Sequence, residues 1–240
     1  MEKSHYESMY ARERTHWWYR VRRKLVRHLI SRHVGTEGLK ILDVGCGTGL
    51  LLKELQGFGQ IRGIDMSQLA IDFCRERGLT GVTFGEATAI PFPDDSFDVV
   101  LALDVIEHVA DDAMAAREIR RVLKPGGMAI VFVPAFRFLW GITDELSQHY
   151  RRYTLPALLG VFESTGCSVK RASYFNFLLF PAILAIRGCV RIFKLRVRSE
   201  LESNSNILNE LLYHIFNLEL WLLRATNLPF GVSALIVAKK

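Results

Sequence analysis

Apolar and polar residues alternate along this chain in two different periods. From Leu39 onward, short runs of aliphatic residues take turns with stretches whose apolar positions recur every three or four residues. The first pattern predicts strands and the second amphipathic helices. Strands are expected over 40–44, 60–65, 82–86, 97–103, 128–134 and 168–174, with a terminal one over 233–239. The run 97–103 is almost wholly apolar, as at the buried centre of a parallel sheet. Helices are expected over 49–55, 68–77 and 111–123, with another after Pro156. Ser67 is placed to cap the second of these and Gly78 to stop it. Lys124-Pro125-Gly126-Gly127 stops the third, and Pro156 suits the first turn of the next. This order predicts an α/β fold, a parallel sheet with helices on both faces.

Two segments stand outside the alternation, 1–38 and 175–231. The second is too long for an ordinary loop and must carry structure of its own. The organisation expected is an N-terminal helical cap (1–38), a main domain (39–174 with 232–240) and a helical insertion (175–231). In the cap, Trp17, Trp18, Val21, Leu25 and Leu29 form an apolar stripe that would pack a helix onto the domain. In the insertion, the apolar stretch 174–186 is too short to span a bilayer, which takes about 20 residues. It leads into Arg187, Arg191, Lys194, Arg196 and Arg198, with Val190, Ile192, Phe193 and Leu195 between them. A second apolar helix is expected over 207–225. A helical hairpin of this kind would cover the site or form a homodimer face, and its basic amphipathic part suits an anionic membrane surface.

The chain has 240 residues, half of them hydrophobic, which is enough for one large domain with a sizeable core. A net charge of +6 favours acidic substrates, anionic membrane or nucleic acid. Cys46, Cys74, Cys167 and Cys189 are widely spaced without a CxxC pair and read as reduced thiols. No metal-ligating set is identified. The first 24 residues are charged and aromatic rather than apolar, unlike a signal peptide. A cytoplasmic protein is expected, peripheral at the inner face of the membrane if the insertion docks there.

The densest chemistry lies in Ile41-Leu42-Asp43-Val44-Gly45-Cys46-Gly47-Thr48-Gly49, an apolar strand running into a glycine-rich turn. Glycines at alternate positions let the backbone approach a ligand closely. The helix that follows offers unpaired N–H groups to an anion, and Asp43 can take a cationic or hydroxyl group. A phosphate-binding P-loop would need a Lys-Ser/Thr pair where Leu50-Leu51 stands. A dinucleotide fingerprint would need glycine at position 50, which is Leu50. Asp65 ends the second strand, where a carboxylate accepts bonds from the ribose hydroxyls of an adenosine.

The remaining pattern, Asp-x-Gly-x-Gly-x-Gly after a strand, resembles motif I of class I S-adenosylmethionine-dependent methyltransferases. Three further runs resemble that family in order: Gly85-Glu86-Ala87 with Ile90-Pro91-Phe92-Pro93-Asp94-Asp95-Ser96-Phe97-Asp98, then 102–109, then Lys124-Pro125-Gly126-Gly127. The core motifs are similar to those of ubiquinone/menaquinone methyltransferases. The resemblance implies a Rossmann-like sheet of seven strands with an antiparallel terminal strand and S-adenosyl-L-methionine as cofactor. It also implies the residues that hold it: Asp43, Gly45, Cys46, Gly47, Gly49, Asp65, Met66, Glu86, Ala87, Ala102 and Leu103. Glu86 stands where the family more often has Asp and reaches one methylene further.

Methyl transfer from a sulfonium chiefly needs the nucleophile held close and aligned, and a base only if it starts protonated. His149 is the first candidate base and His108 the second. In the same run Tyr150, Arg151, Arg152 and Tyr153 are candidate acceptor-binding residues, as are Trp17 and Trp18. The His-Trp-Trp and His-x-Arg-Arg-Tyr runs resemble those of a subset of bacterial and archaeal methyltransferases. The acceptor expected is a small molecule or a lipid-linked one, acidic by charge complementarity, methylated at oxygen. Carbon methylation of a quinone-like ring is the rival reaction, and a non-catalytic membrane- or partner-binding module of the same fold is the rival class. Nucleic acid is disfavoured, because no recognition domain or Asn/Asp-Pro-Pro-Tyr motif is present.

Overall fold

Strands that are apolar on both faces bury both faces, and four such strands form the middle of the molecule. The computed structural model describes residues 3–193 and 205–240. Seven strands form one sheet: β1 (Leu39–Val44), β2 (Gly59–Asp65), β3 (Val82–Phe84), β4 (Phe97–Leu103), β5 (Leu123–Pro134), β6 (Ser168–Phe175) and β7 (Ser233–Lys239). Their order is β3-β2-β1-β4-β5-β7-β6, with β7 antiparallel to both neighbours. The terminal strand therefore slots between two earlier ones rather than extending the edge. Asp43 is level with Gly63 on β2 and with Leu101 on β4. The strand order reverses between β1 and β4, and the carboxyl ends of such a pair open a crevice for ligands.

The helices are α1 (Lys3–Arg12), α2 (Trp17–His33), α3 (Leu50–Leu55), α4 (Gln68–Glu76), α5 (Asp112–Val122), α6 (Ile142–Leu146), α7 (Leu155–Glu163), α8 (Phe180–Ile192) and α9 (Asn206–Ala225). Ser67 caps α4, Asp111 caps α5 and Thr154 caps α7, each accepting a main-chain N–H of the first turn. On one face of the sheet α5 and α7 bury Ile119, Leu158 and Phe162 against β4, β5 and β7. On the other face α2 and α9 bury Leu25, Leu29, Phe216 and Leu223 against β1, β4 and β5. Residues on either side of the main domain thus share one layer.

Two boundaries differ from expectation. β3 stops at Phe84, so Gly85 and Glu86 lie beyond the sheet. Pairing of β5 with β4 begins at Leu123 opposite Phe97 and shifts register before Met128. The Lys-Pro-Gly-Gly turn is absorbed as an irregularity within β5, with Gly126 at φ +83°.

α8 buries no residue and carries Arg187 and Arg191. Lys194, Leu195, Arg196 and Arg198, expected to continue its basic face, lie outside the described residues. Among the described residues, no helix is long and apolar enough to cross a membrane.

Candidate active site

The glycine loop bends because its residues can take positive φ: Gly45 at +69°, Gly47 at +54° and Gly49 at +80°. A Cβ on Gly45 would come within 2.5 Å of Val105, so β1 and the end of β4 can approach here only with glycine. Gly49 serves a different purpose. A Cβ there would meet Cys74 and Leu79 at 2.6 and 2.7 Å, so its smallness lets α4 pack against the loop. α3 has only six residues, so close backbone approach, rather than a long helix dipole, is what the loop offers a ligand.

Asp65 ends β2 and organises the loop. Its Oδ2 accepts the Gly47 N–H at 2.9 Å, and its Oδ1 accepts the Ser67 N–H at 2.9 Å and the Tyr6 hydroxyl at 3.2 Å. The Tyr6 bond brings α1 over the loop. α1 is latched by buried Glu13, whose carboxylate accepts the Thr48 hydroxyl at 2.6 Å and pairs with Arg77. Asp43 is buried at the end of β1, and burial together with the Asp65 charge pushes its carboxyl up to about 8. A buried carboxyl in that condition favours a cationic partner.

A cavity of about 1260 Å³ runs from this loop across the carboxyl ends of β1, β4 and β5. Asp43, Gly45, Cys46, Gly47, Asp65, Met66, Glu86, Ala87 and Leu103 line it; Gly49 and Ala102 do not. Ala102 is wholly buried within β4. Arg22, from α2, also lines the cavity and pairs with Asp104 at 2.7 Å. Asp104 sits at φ +57°, in the left-handed region that Asp tolerates better than most residues with a Cβ.

The far end of the cavity is built around Asp144 of α6. Its carboxylate accepts His149 Nδ1 at 2.8 Å, Arg152 Nε at 2.7 Å and Nη2 at 2.9 Å, and the Gly141 N–H at 2.7 Å. Burial opposes its ionisation, yet these donors hold its carboxyl well below the usual carboxylate range. With Nδ1 donating to Asp144, the lone pair of His149 lies on Nε2. The His108 ring lies edge-on to His149, centroids 4.5 Å apart, and burial with the neighbouring imidazole pushes its pKa down to about 4.

The His-Tyr-Arg-Arg-Tyr run divides. His149 and Arg152 line the cavity, although Arg152 is engaged by Asp144 and by the Ala135 carbonyl at 3.0 Å. Tyr150 is exposed, Arg151 pairs with Asp112 at 2.9 Å, and Tyr153 is buried with its hydroxyl on Asp112 at 2.7 Å. None of these three lines the cavity. Trp17 and Trp18 both line it, and both also pack on Phe216, Trp18 stacked at 5.5 Å. Ile183, Ile186 and Val190 of α8 supply an apolar wall opposite.

Asp104, Glu107 and His108, expected at the crevice beyond β4, line the cavity, whereas the parts taken by Arg22 and Asp144 were not foreseen. Glu107, His108 and His149 place three potential ligand atoms within 4.8 Å of one another. The Glu-His pair leaving β4 was a usable signal; its juxtaposition with His149 was not.

Residues 42–131 match the methyltransferase domain family. The chain is 29% identical over 171 residues to demethylmenaquinone methyltransferase of Staphylococcus aureus, covering 64% of this chain and 68% of that one. It is 32% identical over 143 residues to sterol 24-C-methyltransferase ERG6B of Gibberella zeae, covering 55% of this chain but only 37% of that one. A solved S-adenosylmethionine-dependent methyltransferase from Thermotoga maritima superposes with a TM-score of 0.61 at 20% identity, over 99% of this chain and 95% of that one. At that identity the superposition shows the fold alone.

Proposed function

Because the chain belongs to the class I S-adenosylmethionine-dependent methyltransferases, we propose that it methylates a hydroxyl of a small-molecule or lipid-linked acceptor. S-adenosylmethionine supplies a methyl group on a positively charged sulfonium that leaves as a neutral thioether. Asp65 takes the ribose hydroxyls, and Met66, Glu86 and the Ala87 N–H hold the adenine end. The backbone at Gly45 and Cys46, with Leu103 opposite, flanks the methionine arm. Asp43 faces its ammonium and Arg22 its carboxylate. The residues fit the group: the cradle at Gly45 has no room for a Cβ, and Asp43 is a buried acid in need of a cation.

One observation carries the reading. The Asp144-oriented His149 opens onto the same cavity as the glycine loop. Displacement at a methyl is in line, so positioning is the main task, worth up to about 7–11 kcal/mol. The walls from α2 and α8 align the acceptor. Nε2 of His149 takes the hydroxyl proton, a contribution of about 10²–10⁴-fold. Carbon methylation of a quinone-like ring is the second reading, favoured by the demethylmenaquinone relative and by the Trp17 and Trp18 rings in the cavity wall.

Exposed Ile186, Ile192 and Phe193 beside Arg191 support docking of α8 on an anionic membrane at the cytoplasmic face, where a lipid-linked acceptor would be met. Flotation with anionic liposomes tests this, and protein that stays wholly in the soluble fraction contradicts it. The reaction is tested by incubating the protein with methyl-labelled S-adenosylmethionine and metabolite and lipid extracts. A labelled ether or ester supports oxygen methylation; label on a ring carbon replaces it with the second reading.

A further inference from the structure

Glu107 is fully buried in the turn after β4, and among the described residues neither of its carboxylate oxygens has a hydrogen-bond partner. Burial first, and the negative charge of Asp104 second, disfavour its ionised form, and a bound cation would offset both. Arg22 does not resolve this, being paired to Asp104.

The neighbours of Glu107 are two imidazoles, those of His108 and His149. His149 is fixed through Nδ1 to Asp144 at 2.8 Å, and His108 is hydrogen-bonded to the Ser147 main chain. A hydrogen bond to one nitrogen of an imidazole sets the tautomer and aims the other lone pair, as metal-ligating histidines require. The Tyr150 N–H donates to the Glu107 carbonyl at 2.8 Å, stitching the two ligand-bearing segments together. The three candidate ligand atoms lie within 4.8 Å of one another, and all three residues line the cavity.

We propose that Glu107, His108 and His149 form a binding site for a divalent first-row transition cation that activates the acceptor hydroxyl. Two imidazoles and one carboxylate with open positions suit zinc, iron, cobalt or manganese, whereas magnesium prefers an all-oxygen set. The activating role rests on the oxygen-methylation reading; cation binding does not. In the loaded protein, Nε2 of His149 is a ligand and activation passes from the imidazole to the ion. The coordinated hydroxyl releases its proton to solvent water. Its oxygen then forms the new O–C bond as the C–S bond breaks, the electron pair of that bond going to sulfur.

The test uses the full chain, stripped with chelator and titrated with Zn²⁺ by calorimetry and with Co²⁺ by visible absorption, with no methyl donor present. One ion per chain is expected, with a d–d spectrum for Co²⁺ and weaker binding of Mg²⁺. Glu107→Gln and His149→Ala should each weaken Zn²⁺ by more than about 100-fold, and Asp144→Asn by about 10–100-fold, while Cys189→Ser changes nothing. Circular dichroism and S-adenosylmethionine binding verify that each variant is folded. Absence of stoichiometric binding, or binding that folded Glu107→Gln and His149→Ala retain, overturns the proposal. Zn²⁺ binding without S-adenosylmethionine binding would instead leave the cation site standing and refute the cofactor assignment.

Discussion

The Tyr6 hydroxyl donates to Asp65 Oδ1 at 3.2 Å, joining the first helix of the chain to the acid at the end of β2. The bond makes α1 a wall of the cofactor crevice. A Cβ on Gly47 would come within 3.2 Å of the Met9 sulfur, so α1 covers the glycine loop as well. Its latch is the buried pair Glu13–Arg77. Glu13→Ala leaves Arg77 without that charge and releases α1. S-adenosylmethionine affinity should fall by about tenfold or more, corresponding to roughly 1–3 kcal/mol of the cost of an uncompensated buried charge. Hydrogen exchange should show α1 protected by the cofactor in the wild type and unprotected in the variant.

Asp43 links cofactor binding to pH. Its carboxyl is pushed up to about 8 by burial and by Asp65, so it is largely neutral near pH 6. A folded-state pKa above the unfolded value contributes stability that is fully present below about pH 4 and is lost as pH rises through about 8. Asp43→Asn should remove that loss between those limits. A cationic ligand favours the carboxylate, so binding near pH ~6 should release about one proton from the wild type and none from Asp43→Asn. Calorimetry in buffers of different ionisation enthalpy reads the difference.

Asp144 holds both His149 and Arg152, which makes it a positioning residue if His149 faces the acceptor as proposed. Asp144→Asn removes the carboxylate that accepts Arg152 Nε and Nη2 at 2.7 and 2.9 Å. The expected cost is about 1.5–3 kcal/mol of stability for each charged hydrogen bond lost. Turnover should fall far more than S-adenosylmethionine affinity, because the glycine loop lies at the other end of the cavity. Equal losses in both would show that the two ends are not separate.

Glu219 of α9 is wholly buried and accepts the N–H groups of Asn176, Phe177 (2.7 Å) and Leu178 (3.1 Å). It ties α9 to the chain leaving β6. Glu219→Ala orphans one buried and two half-buried donors, the buried one at about 1–3 kcal/mol, and should lower the melting temperature by several degrees. Cofactor affinity should change little, since Glu219 lies outside the cavity lining.

The parts of the site that were legible in the sequence are those made by neighbours in the chain. Asp43 and Gly45 reach the cavity through local backbone geometry, and Asp65 through its place at a strand end. The acceptor side was less legible because it is made by distant segments. Arg152 read as an anion-binding group, but the fold turns it onto Asp144 eight residues earlier. Glu107 and His149 meet only because the loop after β5 folds back beneath the end of β4. In the sheet, apolar runs marked each strand, whereas the placing of β7 between β5 and β6 is a long-range outcome of the packing.

The central claim is that the crevice at Asp43 to Gly49, closed by Asp65, binds S-adenosylmethionine. Isothermal titration of the full chain with S-adenosylmethionine tests it most directly, run beside Asp65→Ala. The account predicts saturable binding at one site per chain and a loss of about 100-fold or more in the variant, from the ribose contacts and the Gly47 N–H that Asp65 anchors at 2.9 Å. No heat from the intact protein, or equal affinity in the two, would contradict it.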